Sequence, residues 1–143
     1  MKGNEVSSSP VTITELDAAR IRELGAHLDD RGRSLHALSE LIEMVTEEAE
    51  IVPASRIAAN VVTVNSKVTF RDELTEALHT VTVVYPRDFS IGERRISVLS
   101  PVGRALLGRR VGDIAPLVMP DGSRRRIAIL ELHYQPEASG DDP

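Results

Sequence analysis

The sequence predicts an α+β fold: a short antiparallel helical hairpin, paired as a coiled coil, followed by an antiparallel sheet domain with one short helix. Three observations predict it. Apolar residues recur three and four apart as far as residue 49, then alternate with polar ones from residue 62. The run Ser100-Pro101-Val102-Gly103-Arg104-Ala105-Leu106-Leu107-Gly108, closed by Val111-Gly112-Asp113, reads as a short capped helix between two β-branched stretches. Pro120-Asp121-Gly122-Ser123 marks a hairpin turn between the last two of those stretches.

The first elements are helical. Residues 1–12 are polar and Ser-rich with no hydrophobic run, which is expected of a flexible leader and not of a secretory signal. Thr14-Glu15-Leu16-Asp17 forms a capping-box-like start, with Thr14 as cap and an acid near the positive helix end. Ile21, Leu24 and Leu28 then share one face. Asp29-Asp30-Arg31-Gly32-Arg33-Ser34 is a turn, with Ser34 a candidate N-cap, and so short a link makes the two helices antiparallel. Leu35, Leu38, Ile42, Val45 and Ala49 keep the 3-4-3-4 spacing of a coiled-coil seam, with Leu41 beside it. Each helix is roughly 15 residues, or about 22 Å, long. A pair this small is marginal alone, so the hairpin, residues 13–50, is expected to lean on the sheet domain.

Residues 51–60, with Pro53 and Asn60, read as a linker to the sheet domain, residues 61–136. Val62, Val64 and Val68 alternate with polar residues toward Phe70, and residues 80–85 form a β-branched strand stopped by Pro86. Ile96-Ser97-Val98-Leu99 is a strand leading into the short helix. There Ser100 caps, Pro101 supplies the first position and Gly108 ends the helix in a left-handed conformation. Residues 114–119 and 126–134 flank the hairpin turn, giving about five antiparallel strands. The polar stretch from Gln135, above all the acidic tail 137–143, is expected to fray.

Composition narrows the function. At 41% hydrophobic but 3% aromatic, the core must be built from Val, Ile, Leu and Ala. The absence of Cys excludes disulfides and thiolate metal sites and suits a reducing cytoplasm. No apolar run is long enough for a membrane span, so no membrane partner is expected. His27, His36, His79 and His133 lack metal-ligand spacing, and no Gly-rich turn ends in Lys-Ser/Thr. No nucleophile–base pair stands out. We therefore expect no catalytic residue, metal, cofactor or small-molecule substrate.

The net charge of −5 is unevenly spread. Residues 1–60 hold 6 Lys/Arg against 11 Asp/Glu, whereas residues 61–143 hold 11 of each. Between 85 and 130, Arg87, Arg94, Arg95, Arg104, Arg109, Arg110, Arg124, Arg125 and Arg126 face only Asp88, Glu93, Asp113 and Asp121. An acidic arm on a locally basic domain suits a partner offering both signs of charge; solvated faces without a partner are the alternative. Neighbours in Arg124-Arg125-Arg126 alternate between sheet faces, and neither stacking aromatics nor a groove helix accompanies them. An acidic patch on a protein fits better than a nucleic acid, with room for weak nucleic-acid contact, including DNA binding, through phosphate attraction.

The run from Ser100 to Asp113 resembles the signature of the C-terminal domain of the GreA/GreB transcript elongation factors. Val64-Asn65-Ser66-Lys67-Val68-Thr69-Phe70-Arg71-Asp72 and Leu130-Glu131-Leu132-His133-Tyr134-Gln135-Pro136-Glu137-Ala138 look like strands of the Rnk (regulator of nucleoside diphosphate kinase) family, its short-coil relatives. Ile13-Thr14-Glu15-Leu16-Asp17-Ala18 and Val84-Tyr85-Pro86 are similar too, so the resemblance touches most of residues 13–138. It implies an FKBP-like sheet domain that docks on the rim of the secondary channel of RNA polymerase while the hairpin points into the channel. The long-coil factors carry a docking loop Ser-x-Asp-Ser-Pro. Here Ser97, Ser100 and Pro101 match it, and Leu99 replaces the acid. With Arg104, these four make the expected docking residues.

The resemblance also raises two enzymatic ideas. Cleavage factors bring tip acids to the polymerase Mg²⁺, and Asp29 and Asp30 occupy the hairpin tip here. A Gre coil has about twice the helix length, so an arm of about 22 Å falls short. Prolyl isomerisation needs a pocket of aromatics, and only Phe70, Phe89, Tyr85 and Tyr134 are available. The sequence thus points to a non-enzymatic elongation regulator that binds the polymerase and competes with cleavage factors. Transcript cleavage by the tip acids, or an adaptor role with another target, are the alternatives.

Overall fold

Two β sheets and a shared core organise the chain, whose computed structural model describes residues 6–7, 10–24 and 33–141. β1 (Thr12–Thr14) leads into helix α1 (Glu15–Glu23); α2 (Arg33–Glu43) unwinds into a wider π turn at Met44–Glu48 and leads to β2 (Glu50–Val52). Thr14 caps α1, its Oγ1 accepting from the Asp17 N–H at 3.0 Å. β1 and β2 pair in parallel, Ile13 opposite Ile51. Parallel neighbours require a crossover connection, and here the two helices are that crossover. The two strands thus straddle the expected boundaries of the hairpin, β1 with the leader and β2 with the linker. Ser7 is also held, its N–H donating to Ile114 O at 2.9 Å.

The second sheet contains β3 (Lys67–Asp72), β4 (Leu78–Val84), β5 (Arg95–Ser97), β6 (Ile114–Val118) and β7 (Arg124–Tyr134), in the order β5-β4-β3-β7-β6. Its strands are antiparallel except for β4 and β5, which pair in parallel with Thr82 opposite Arg95. That corrects the all-antiparallel expectation. Pro86 ends the preceding strand, a 3-10 turn follows at Pro86–Asp88, and the chain doubles back beside Thr82. α3 (Pro101–Leu106) packs between β5 and β6.

The valines before β3 differ from expectation as well. Val61, Val62 and Val64 are all buried, yet they lie outside any strand. Val62 instead exchanges backbone hydrogen bonds with Gly108 and Arg109, at 2.8 Å each. Nor does the chain fray at Gln135. α4 (Pro136–Ser139) follows, and the buried Gln135 amide donates to Ala58 O and Val61 O, both at 2.8 Å.

Among the described residues, apolar side chains of both helices join the core of the sheet domain. Ile13, Ala18, Ile21, Leu41 and Val45 join Val64, Val68, Phe70, Val83, Leu106, Ile127 and Ile129 in one cluster. Leu41, placed beside the seam, is 1% exposed, whereas Leu35, placed in it, is 43% exposed. The apolar stripe is broad, and the sheet domain, not a partner helix, selects the face to cover. Each buried aliphatic side chain contributes about 1.5–3 kcal/mol, which stabilises helices too short to persist alone. Leu28, Asp29 and Asp30 lie outside the described residues. In urea denaturation, Leu41→Ala is expected to lower stability by about 2–5 kcal/mol. Leu35→Ala should change it by less than about 0.5 kcal/mol; a larger loss at Leu35 would restore the coiled-coil seam.

Candidate functional site

The Ser97–Pro101 loop is built by its own short side chains. Val98 N–H donates to Val84 O at 2.8 Å, which fixes the loop to the sheet edge. Ser97 Oγ accepts from Leu99 N–H at 3.0 Å. Ser100 Oγ donates to Ser97 O at 2.7 Å and accepts from Gly103 N–H at 3.0 Å, so one hydroxyl closes the loop and caps α3. Pro101 opens the helix without an amide hydrogen to satisfy. Gly103 permits the close approach: a Cβ there would lie 2.0 Å from Ser97 O. Beyond α3, Gly108 at φ +82° turns the chain so that its carbonyl accepts from Thr12 N–H at 3.1 Å.

All five expected docking residues, Ser97, Leu99, Ser100, Pro101 and Arg104, line one groove of about 840 Å³. Leu99 is half-buried and packs on the core while its side chain faces the groove. The opposite wall is His36, Ala37 and Glu40 of α2, and Arg104 Nη1 donates to Glu40 Oε1 across it. Phe89, 52% exposed, and Val118, 46% exposed, line it too, from the loop before β5 and from the end of β6. Sequence reasoning missed these five contributors, because only the fold brings them to the motif. The exposed ring of Phe89 after a Pro was the one available signal.

A second centre ties α1 to the sheet domain. Asp17, read as a helix-start acid, is 1% exposed. Its carboxylate accepts from Tyr85 Oη–H at 2.7 Å and from Val64 N–H at 3.2 Å, which ties α1 to two segments of the sheet domain. Burial raises its pKa above the ordinary 3.8, the donors from Tyr85, Val64 and Thr14 oppose that rise, and nearby Glu137 adds to it. Burial and the Asp17 charge likewise push the Tyr85 phenol well above its usual value. Glu137 Oε1 accepts from Thr63 Oγ1 at 2.7 Å, and its Oε2 is buried without a hydrogen-bond partner.

The arginines are dispersed. Arg125 pairs with Asp72 at 3.0 Å, Arg95 with Glu93 at 3.2 Å and Arg87 with Asp88 at 3.9 Å. Arg110 donates to Thr12 Oγ1 at 3.4 Å, and Arg109 is half-buried. His79 stacks on Phe70, and His133 Nε2 lies 2.7 Å from Thr69 Oγ1. Among the described residues, no three His, Cys, Asp or Glu side chains could hold a metal ion, and no helix is long and apolar enough to cross a membrane.

A small sheet with α3 wedged beside the Ser97–Pro101 loop is the form of a GreA/GreB C-terminal domain, and the family model "Transcription elongation factor, GreA/GreB, C-term" matches residues 57–134. A solved GreA/GreB structure from Nitrosomonas europaea is 35% identical, covering 89% of this chain and 100% of that one, with a TM-score of 0.66. GreA of Rickettsia canadensis is 31% identical over 85% of this chain and 68% of its own. The Regulator of nucleoside diphosphate kinase of Escherichia coli K12 is 35% identical over 95% of this chain and 98% of its own. The chain belongs to that regulator's family, within the wider GreA/GreB group.

Two predictions test the site. For Asp17, a raised folded pKa means the protonated acid is favoured in the fold. Its stabilising contribution is complete below the ordinary aspartate value and is lost as pH rises through the higher folded value. Asp17→Asn should therefore flatten stability against pH in that window. Asp17→Ala, which strands the Tyr85 hydroxyl and Val64 N–H, should cost about 1–3 kcal/mol across it. Gly103→Ala should cost at least about 1–3 kcal/mol in the same denaturation assay, because backbone must move to admit the methyl group.

Proposed function

We propose that this chain is a non-catalytic regulator of transcription elongation that binds RNA polymerase through its sheet domain at the secondary channel and competes there with cleavage factors. The observation that carries this reading is the convergence of Ser97, Leu99, Ser100, Pro101 and Arg104 on one groove. Its relatives are named as transcription elongation factors, which supports the same choice of partner. The reading places the chain in the cytoplasm, with the polymerase. The arm supports a role without chemistry. Any antiparallel pair built from residues 15–49, between β1 and β2, extends no further than about 26 Å. That is well short of the long coil that delivers tip acids in the cleavage factors.

Fluorescence titration of labelled protein with core polymerase is expected to show saturable binding at micromolar concentration or below. Stalled elongation complexes should keep their transcript lengths in its presence and be protected from an added cleavage factor. Asp29→Ala combined with Asp30→Ala should leave both results unchanged. Shortened transcripts that depend on Asp29 and Asp30 would instead establish cleavage. A folded monomer that ignores the polymerase would establish an adaptor with another target.

A further inference from the structure

Resting on that reading of the groove, we propose that it accepts an acidic segment of the polymerase flanked by apolar residues, and that Glu40 of the arm is an internal competitor for the same cation. The groove is mostly apolar, with Leu99, Pro101, Phe89, Val118 and Met119 among its lining. Its charged lining groups are Arg104 and Glu40, and His36 Nε2 lies 3.6 Å from the Glu40 carboxylate. The occupant must therefore be apolar along most of its length and matched to Arg104 at one end.

Three features make Arg104 the recognition element and Glu40 the exchangeable one. Arg104 sits in the last turn of α3, whose position beside Ser97 is fixed by the Gly103 approach. Its side chain is 22% exposed, whereas that of Glu40 is 50% exposed. Glu40 engages one nitrogen of a guanidinium whose planar fork can hold a carboxylate through two parallel hydrogen bonds. An incoming carboxylate can thus take a better geometry than the one it displaces. Where the Gre docking loop carries an acid, this chain has Leu99, so no carboxylate on the loop repels the occupant.

Exchange at Arg104 would also break the ion pair between α2 and α3, while Leu41 and Val45 keep α2 on the core. Docking and that ion pair are coupled through one cation. A basic occupant is disfavoured, since it would meet Arg104 at the mostly apolar groove's fixed charge.

The test is a titration of core RNA polymerase into four labelled proteins: wild type, Glu40→Gln, Arg104→Gln and the double variant. Melting curves establish that each is folded. An exposed ion pair is worth little, so Glu40→Gln should tighten binding about two- to fivefold, and less at high salt. Arg104→Gln should weaken binding, and the double variant should match Arg104→Gln, because the gain at Glu40 exists only through Arg104. Unchanged or weaker binding by Glu40→Gln, or full affinity in Arg104→Gln, would overturn this proposal while leaving polymerase binding intact. Failure of wild type and all variants to bind would remove the polymerase reading and this proposal with it. Self-association through the groove, seen by sedimentation and abolished by Arg104→Gln, would assign the groove to a second copy and overturn the proposal as well.

Discussion

Asp17 lies on the first turn of α1, but the groups that satisfy its carboxylate, the Tyr85 hydroxyl and the Val64 N–H, belong to the sheet domain. Removing a carboxylate from water is costly unless directed donors replace the lost hydration. The chain therefore has little freedom in where α1 can start. α2 is held on the same core by Leu41 and contributes His36, Ala37 and Glu40 to the groove that the Ser97–Pro101 loop lines. A hydrophobic interface alone would tolerate sliding of the helices over the sheet; a buried acid with two fixed donors does not.

The docking loop follows the same logic at smaller scale. Ser97 and Ser100 satisfy the backbone groups that a strand-to-helix corner leaves open, and the hydrogen at Gly103 lets α3 press against the carbonyl of Ser97. α3 has only six residues, so it could not persist without this corner. Leu106 and Leu107, both essentially fully buried, anchor its far end in the core. The exposed features of the loop are consequently presented on rigid backbone, which suits recognition.

How much of this was legible in the sequence depended on whether the deciding contact was local. The short helix could be read from Ser100, Pro101 and Gly108, because caps and turn residues act within a few positions of themselves. β1 and β2 could not, since three-residue strands are too short to display alternation. Leu35 was placed in the seam yet is exposed, because the spacing identifies an apolar stripe but not the surface that covers it. Val62 and Val64 imitated a strand face by chance of spacing; in the fold they and the neighbouring Val61 are buried irrespective of parity. Asp17 looked like a helix-start acid because its partner Tyr85 is 68 residues away. The five expected docking residues were named through resemblance, whereas Phe89 and Glu40 join them in the groove only through tertiary structure.

The pairing of β1 with β2 has a consequence for the history of the fold. Residues 15–49 leave and re-enter at strands already hydrogen-bonded to each other, so the base of the arm is closed without help from its tip. Once a loop's ends are held together, doubling its length adds only about 0.6 kcal/mol of closure entropy. The arm is therefore an interchangeable cassette. Evolution could extend or trim it turn by turn, and so add or withdraw an activity at its end, while the domain that seeks out the partner stayed the same.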